Sequence, residues 1–323
     1  MEYQILRGTG MRVSRICLGT MTFGDQADEA TSIKMVETAI DAGVNFIDTA
    51  DAYTKGRSEE ITGKALKGKR DKVILASKVA NLVGKDRSKD QGLNRWHVIK
   101  GVEASLKRLK TDCLDIFYLH KPDWNTPIEE TMAAFDMLVQ QGKVMYVGMS
   151  NFASWQVMKA LWKCDVHNWA PPVVLQLPYN IITRSIDEEC VSFSKEMNIG
   201  MTVYNPLAAG MLTGKYSRDA APSKDTRLGM NKDYYGRFWH DRNFEAMEMI
   251  EKIADDAGKT MIELALQWQM SQPIVDSMIL GASKLEHLEH NIQAADGRLE
   301  EDTLKACDDV WQHIRGGHFA YNR

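Results

Sequence analysis

Eight apolar runs of strand length recur along the chain: RICLGT (15–20), VNFID (44–48), KVILASK (72–78), CLDIFYLH (113–120), KVMYVGMSN (143–151), PVVLQL (172–177), GMTVYN (200–205) and SMILGAS (277–283). Amphipathic stretches of helical period lie between them, among them 29–43, 94–110, 127–142, 185–198 and 284–295, and Gly43 and Gly142 stop two of these. A regular strand and helix alternation argues for parallel strands, and eight such units argue for an α/β fold of the closed (β/α)8 TIM-barrel type. An open doubly wound sheet is the alternative. Its dinucleotide signature, GxGxxG after the first strand, is missing, because that strand runs into GTMTFG. Two short apolar pieces around a Gly turn in YQILRGTGMRVSRI predict an N-terminal β-hairpin that closes the barrel bottom. Residues 208–242 form the longest interruption, with long loops expected at the C-terminal face, and 299–323 read as a tail after the last unit.

A chain of 323 residues can hold one such barrel as a single domain spanning 1–323. No apolar run approaches the length that spans a bilayer, and a net charge of -4 without a basic stripe excludes nucleic acid and membrane from the expected partners. The first residues lack the continuous apolar region of a signal peptide. Cys17, Cys113, Cys164, Cys190 and Cys307 are irregularly spaced with no CxxC pair, which points to reduced thiols, no metal site and a cytoplasmic protein. The outer helices carry no pattern that separates a monomer from a dimer.

In a barrel, functional groups stand at the C-terminal ends of the strands. The second, third and fourth strands end on Asp48, Lys78 and His120, and Tyr53 follows the second within a short loop. Singly, each has a plain explanation: a turn-capping acid, a rim cation, a hydrogen-bonded histidine, an aromatic lid. Asp51 is read as such a turn-capping acid. Together, a carboxylate, an ammonium, an imidazole and a phenol at adjacent strand ends can transfer protons. The Lys78 ammonium favours the Tyr53 phenolate, Asp48 holds that ammonium charged, and His120 hydrogen-bonds a carbonyl oxygen or assists the proton transfer according to its tautomer. Such a site polarises and protonates a carbonyl but supplies no reductant. The later strands offer places for one: Ser150, Asn151 and Gln176 can grip a carboxamide, Tyr204 can stack on a flat ring, and GASK (Gly281 to Lys284) opening a helix suits phosphate.

These residues, in the order GTMTFG, NFIDTADAY, the Lys of ILASK, the His of FYLH, GKVMYVGMSNF, QLPYN, YNPLAAGMLTGKY and MILGAS, resemble the aldo-keto reductase family over almost the whole chain. The resemblance implies a barrel that reduces an aldehyde or ketone reversibly, with Asp48, Tyr53, Lys78 and His120 as catalytic tetrad and Tyr53 as general acid. It implies NADPH (NADP+) as cofactor, with NADH as the second choice. Ser150, Asn151 and Gln176 would then hold the carboxamide, Tyr204 would stack on the nicotinamide, and Gly19, Thr20 and Met21 would line the same pocket. Asn205, Pro206, Leu207, Gly210, Leu212, Gly214 and Lys215 would form the loop over the pyrophosphate. Gly281, Ser283 and Lys284, helped by Arg227, match positions near the adenosine 2′-phosphate. His287 and His290 stand where the family commonly has Gln and Glu at the adenine, followed by Asn291 as in the family.

Candidate walls of the substrate pocket are Met21, Phe23, Trp124 in HKPDWNTP, and Tyr235 and Trp239 in DYYGRFWH. Phe319 and Tyr321 in the tail are further candidates to close it. The expected partner is a small-molecule carbonyl compound. Two other readings stand beside the reductase. The first is an NADPH-binding sensor or regulatory subunit with little turnover, like the channel-associated β subunits that resemble this family. The second is a Schiff-base aldolase using Lys78, which leaves the nicotinamide constellation unexplained.

Overall fold

The computed structural model describes residues 1–316, so Phe319 and Tyr321 lie outside the described residues. The chain opens with an antiparallel hairpin of β1 (Tyr3–Ile5) and β2 (Arg12–Ser14). The eight expected strands follow as β3 (Ile16–Gly19), β4 (Phe46–Asp48), β5 (Ile74–Val79), β6 (Leu114–Leu119), β7 (Val144–Ser150), β8 (Pro172–Pro178), β9 (Gly200–Tyr204) and β10 (Ser277–Gly281). All pair in parallel and in chain order, and β10 pairs back onto β3 to close the barrel.

Helices α1 (Glu29–Asp41), α2 (Arg57–Ala65), α3 (Arg95–Leu109), α4 (Ile128–Gln140), α5 (Ser154–His167) and α6 (Cys190–Glu196) connect the first seven barrel strands. The connection to β10 holds α7 (Arg227–Met230), α8 (Lys232–Phe238), α9 (Asp241–Asp256) and α10 (Met261–Ser271), and α11 (Leu285–Ala294) and α12 (Glu301–Arg315) follow. No helix among the described residues is long and apolar enough to cross a membrane.

Local chemistry explains the boundaries. Asp28 caps α1 by accepting from the Thr31 amide, and Thr260 and Glu263 form a reciprocal capping box at α10. The helix expected over 185–198 is divided into a short 3-10 turn (Ser185–Glu188) and α6, because Glu189 between them leaves helical geometry (φ -147°). The tail read from 299 onward contains α12. Its buried Cys307, Val310 and Ile314 repeat at helical spacing and pack towards α9, so apolar burial rather than a strand-helix unit fixes it.

The barrel separates two apolar cores. The larger lies between strands and helices. The smaller fills the barrel with Cys17, Phe46, Ala76, Ile116, Tyr118, Val174 and Ile279, and Leu6 and Val13 of the hairpin plug its lower end. The plug is fastened by polar bonds: Gln4 donates to the Val275 carbonyl, and Arg7 Nε lies 3.1 Å from Asp276 Oδ1, just below β10. Gly148 in β7 is required by this interior, because a Cβ there would lie 2.3 Å from the Tyr118 ring.

Candidate active site

Side chains alternate faces along a strand, so the inward set can be followed upward. Phe46 leads to Asp48, Ala76 to Lys78, Tyr118 to His120, Gly148 to Ser150, Val174 to Gln176 and Thr202 to Tyr204. The interior core therefore ends, at its C-terminal mouth, in a layer of polar side chains.

Lys78 lies at the floor of this layer with no exposure. Its ammonium donates to Asp48 Oδ1 at 2.5 Å, to the Thr49 carbonyl at 2.8 Å and to the Tyr53 hydroxyl at 3.2 Å, which uses all three of its protons. The second oxygen of Asp48 accepts from Gln176 Nε2 at 2.9 Å. The buried acid is thus satisfied from both sides. Burial alone would lower the Lys78 pKa, but the charge of Asp48, then Tyr53, and the hydrogen bonds to both outweigh it and raise it.

Tyr53 differs from expectation. Its neighbouring ammonium does favour the phenolate, yet burial of the phenol is the larger effect, Asp48 adds to it, and the net shift is upward. The resting group is a phenol. The next two residues, Thr54 and Lys55, hold φ of 49° and 55°, and Thr54 Oγ1 donates to the Phe23 carbonyl at 2.9 Å, which anchors the turn carrying Tyr53.

His120 meets Tyr53 edge-on, with ring centroids 5.9 Å apart and planes at 80°. Burial, then the charges of Lys78 and Lys121, hold its pKa well below the usual imidazole value, so it is neutral. Its Nδ1 lies 3.0 Å from the amide nitrogen of Asn81, a residue without motif or periodic signal in the sequence. Asp51 is buried nearby, and among the described residues its carboxylate makes no hydrogen bond of standard geometry; burial, then Glu59, push its carboxyl well above the usual range.

Above this floor lies a cavity of about 860 Å³. Asp48, Tyr53 and His120 line it, and Lys78 supports them from beneath. Along one wall, Tyr204 donates to Asn151 Oδ1 at 2.8 Å, Asn151 Nδ2 donates to the His120 carbonyl at 2.9 Å, and Ser150 Oγ donates to the Gln176 carbonyl at 3.0 Å. Burial pushes the Tyr204 phenol up to about 12. Asn151 and Asn205 both hold φ of 65°, a left-handed geometry that asparagine tolerates better than most residues.

Gly19, Thr20 and Met21 after β3, and Asn205, Pro206, Leu207, Gly210 and Lys215 after β9, also reach the cavity. So do Arg227, Gly281, Ser283, Lys284, His287, His290 and Asn291. Leu212 and Gly214 of the expected loop do not line it: Leu212 is buried in the core, and Gly214 ends a turn against Met261.

The expected pocket aromatics are placed elsewhere. Phe23 is buried in the main core, and Trp124, in the loop after β6, is 78% exposed beside Trp155 and does not line the cavity. Tyr235 and Trp239 stack on each other at 5.4 Å and do not line the cavity. Tyr234, one position before Tyr235, faces it instead, because neighbouring residues of a helix point about 100° apart. The Tyr234 hydroxyl accepts from Arg227 Nη2 at 3.1 Å, and the same nitrogen lies 3.1 Å from Met21 Sδ. Gln26 and Asn81, with Thr22, Thr213, Asp225 and Thr226, add polar lining that the sequence reading missed. The described residues contain no cluster of three His, Cys, Asp or Glu side chains able to hold a metal.

The family model described as "Aldo/keto reductase family" matches residues 15–312. A probable voltage-gated potassium channel subunit beta of Arabidopsis thaliana is 35% identical over 303 residues, 92% of each chain. Aldo-keto reductase YhdN of Bacillus subtilis (strain 168) is 38% identical over 298 residues, 90% of this chain and 87% of its own. Aflatoxin B1 aldehyde reductase member 2 of Mus musculus is 35% identical over 315 residues, 92% of this chain and 84% of its own.

Proposed function

Because the chain belongs to the aldo/keto reductase family, we propose that it reduces an aldehyde or ketone to the alcohol with NADPH, Tyr53 acting as general acid. One observation carries the assignment of the acid: a fully buried ammonium, held by Asp48, donates to the Tyr53 hydroxyl at the cavity floor.

The chemistry follows from this arrangement. Tyr53 rests as a phenol and has a proton to give. As charge grows on the carbonyl oxygen, the proton moves to it and the phenolate left behind faces the Lys78 ammonium. Asp48 keeps that ammonium charged and aimed, and Gln176 keeps Asp48 from turning away. His120, neutral beside Tyr53, assists at the same oxygen.

The donor set along the cavity fits a dinucleotide. Ser150, Asn151 and Gln176 would hold the carboxamide, and Tyr204 would lie against the ring. Cations gather at the other end. Among the described residues, Lys215 and Arg227 are in no salt bridge, and Lys284 has only Glu286 at 3.7 Å. Ser283, Lys284 and Arg227 would favour an extra phosphate, which supports NADPH over NADH. Bound there, the reduced nicotinamide supplies the hydride.

The test is loss of reduced-nicotinamide absorbance with NADPH, then NADH, across a panel of aldehydes and ketones, with Tyr53→Phe alongside. Turnover lost in Tyr53→Phe with cofactor binding retained supports the assignment, and wild-type turnover in that variant removes it. The relative named as a channel subunit beta favours a second reading, an NADPH-holding regulatory subunit. Tight NADPH binding without turnover on any panel member would select it.

A further inference from the structure

The backbone is bent to deliver Asn81. Its predecessor Ala80, buried just after β5, holds φ of 146°, which L residues rarely adopt, and the Ala80 carbonyl accepts from the Gly92 amide at 2.8 Å. Such strain persists only where the surroundings impose it, and it concentrates at functional sites. Thr54, Lys55, Asn151 and Asn205 of the same mouth also have positive φ. What the bend achieves is the 3.0 Å contact between Asn81 Nδ2 and His120 Nδ1.

An amide nitrogen has only hydrogens to offer, so the ring nitrogen facing it must accept. A neutral imidazole that accepts at Nδ1 carries its proton at Nε2. We propose that Asn81 is a positioning residue that fixes the tautomer of His120, leaving Nε2–H to donate to the carbonyl oxygen of the substrate. This rests on the reductase reading above and specifies the role of His120 within it. The groups around the ring agree with a neutral donor: Lys78 and Lys121 disfavour its charge, and Tyr53 meets it edge-on. Without Asn81 the imidazole is free to tautomerise, losing the proton at Nε2 and gaining one at Nδ1, and then presents a lone pair to an oxygen that is gaining negative charge.

The tautomer can be read without cofactor or turnover from 15N-histidine-labelled protein, with the His120 signals assigned by their loss in His120→Gln. The expected wild-type spectrum has an unprotonated Nδ1 and a protonated Nε2. Asn81→Asp replaces the donor by a carboxylate, which only accepts, so the proton moves to Nδ1 and the imidazole pKa rises. Below that new pKa the imidazolium still donates from Nε2, and above it the donor is lost. In this variant kcat should therefore fall by about 10²-fold at pH values above the new pKa, the cost of one transition-state donor, with KM much less affected. Wild type should show no such fall.

A wild-type spectrum with the proton on Nδ1, or an unchanged tautomer in Asn81→Asp, overturns the proposal. Should that variant fail to fold, Asn81→Leu serves in its place: the Nδ1–H form should become detectable, and its absence overturns the proposal. A protein that shows the Asn81-controlled tautomer but reduces no carbonyl leaves the positioning role standing and removes the reductase reading instead.

Discussion

Lys78→Met keeps most of the buried side-chain volume and deletes the ammonium. In the wild type that charge stands 3.2 Å from the Tyr53 oxygen. At an effective dielectric constant of about 20, a full negative charge on the phenol would interact with it by about 5 kcal/mol. If about half of that charge has formed at the transition state, the loss is about 2–3 kcal/mol, and kcat should fall about 10²-fold. Single-turnover hydride transfer, followed by nicotinamide absorbance at saturating cofactor, measures this step without product release.

The same change strands Asp48, which keeps Gln176 but loses its buried cation. Removing one partner of a buried pair costs about 3–5 kcal/mol of stability, readable by urea unfolding. The double variant Lys78→Met/Asp48→Asn removes the stranded charge. It should recover most of the stability and none of the rate, because it restores no charge opposite Tyr53. Single-variant turnover within about threefold of wild type, or a double variant with its rate restored, would refute the reasoning.

Further outcomes are expected at other positions. Gly148→Ala places a Cβ 2.3 Å from the Tyr118 ring, and overpacking of this kind should cost about 1–3 kcal/mol; an unchanged urea midpoint would show that the barrel interior is not close-packed there. Lys284→Ala should weaken NADPH binding by about tenfold, as expected for loss of one exposed charge-assisted contact, and NADH binding much less. Equal losses by fluorescence titration would remove Lys284 from the phosphate end. His120 is neutral when folded and binds a proton more readily when unfolded, so its contribution to stability is full above the ordinary imidazole pKa of about 6.5 and is lost as pH falls below it. The stability difference between wild type and His120→Gln should therefore shift towards the variant between about pH 6.5 and 5, and a pH-independent difference would show that folding does not depress the His120 pKa.

The eight strands and the layer of polar side chains at their ends were legible in the sequence because both depend on local rules. Apolar runs of strand length mark the strands, and the two-residue alternation of a strand decides which neighbours share a face whatever the rest of the chain does. Once Phe46, Ala76 and Tyr118 point inward, Asp48, Lys78 and His120 must follow at the barrel mouth. Helix α12 within the tail obeys an equally local period, with Cys307, Val310 and Ile314 on one face.

Other features depended on atoms far apart in the chain. The strand ends of a barrel can place Lys78 near Tyr53, but only the packed site shows that desolvation of the phenol exceeds the pull of the ammonium, because burial sums the surroundings from every strand. The choice of Tyr234 over Tyr235 depends on the orientation of α8, set by its packing near the loop after β9. Asn81 had no signal at all. Its role exists because a strained turn at Ala80 brings it to a histidine 39 residues away, and that meeting is made by the closed barrel.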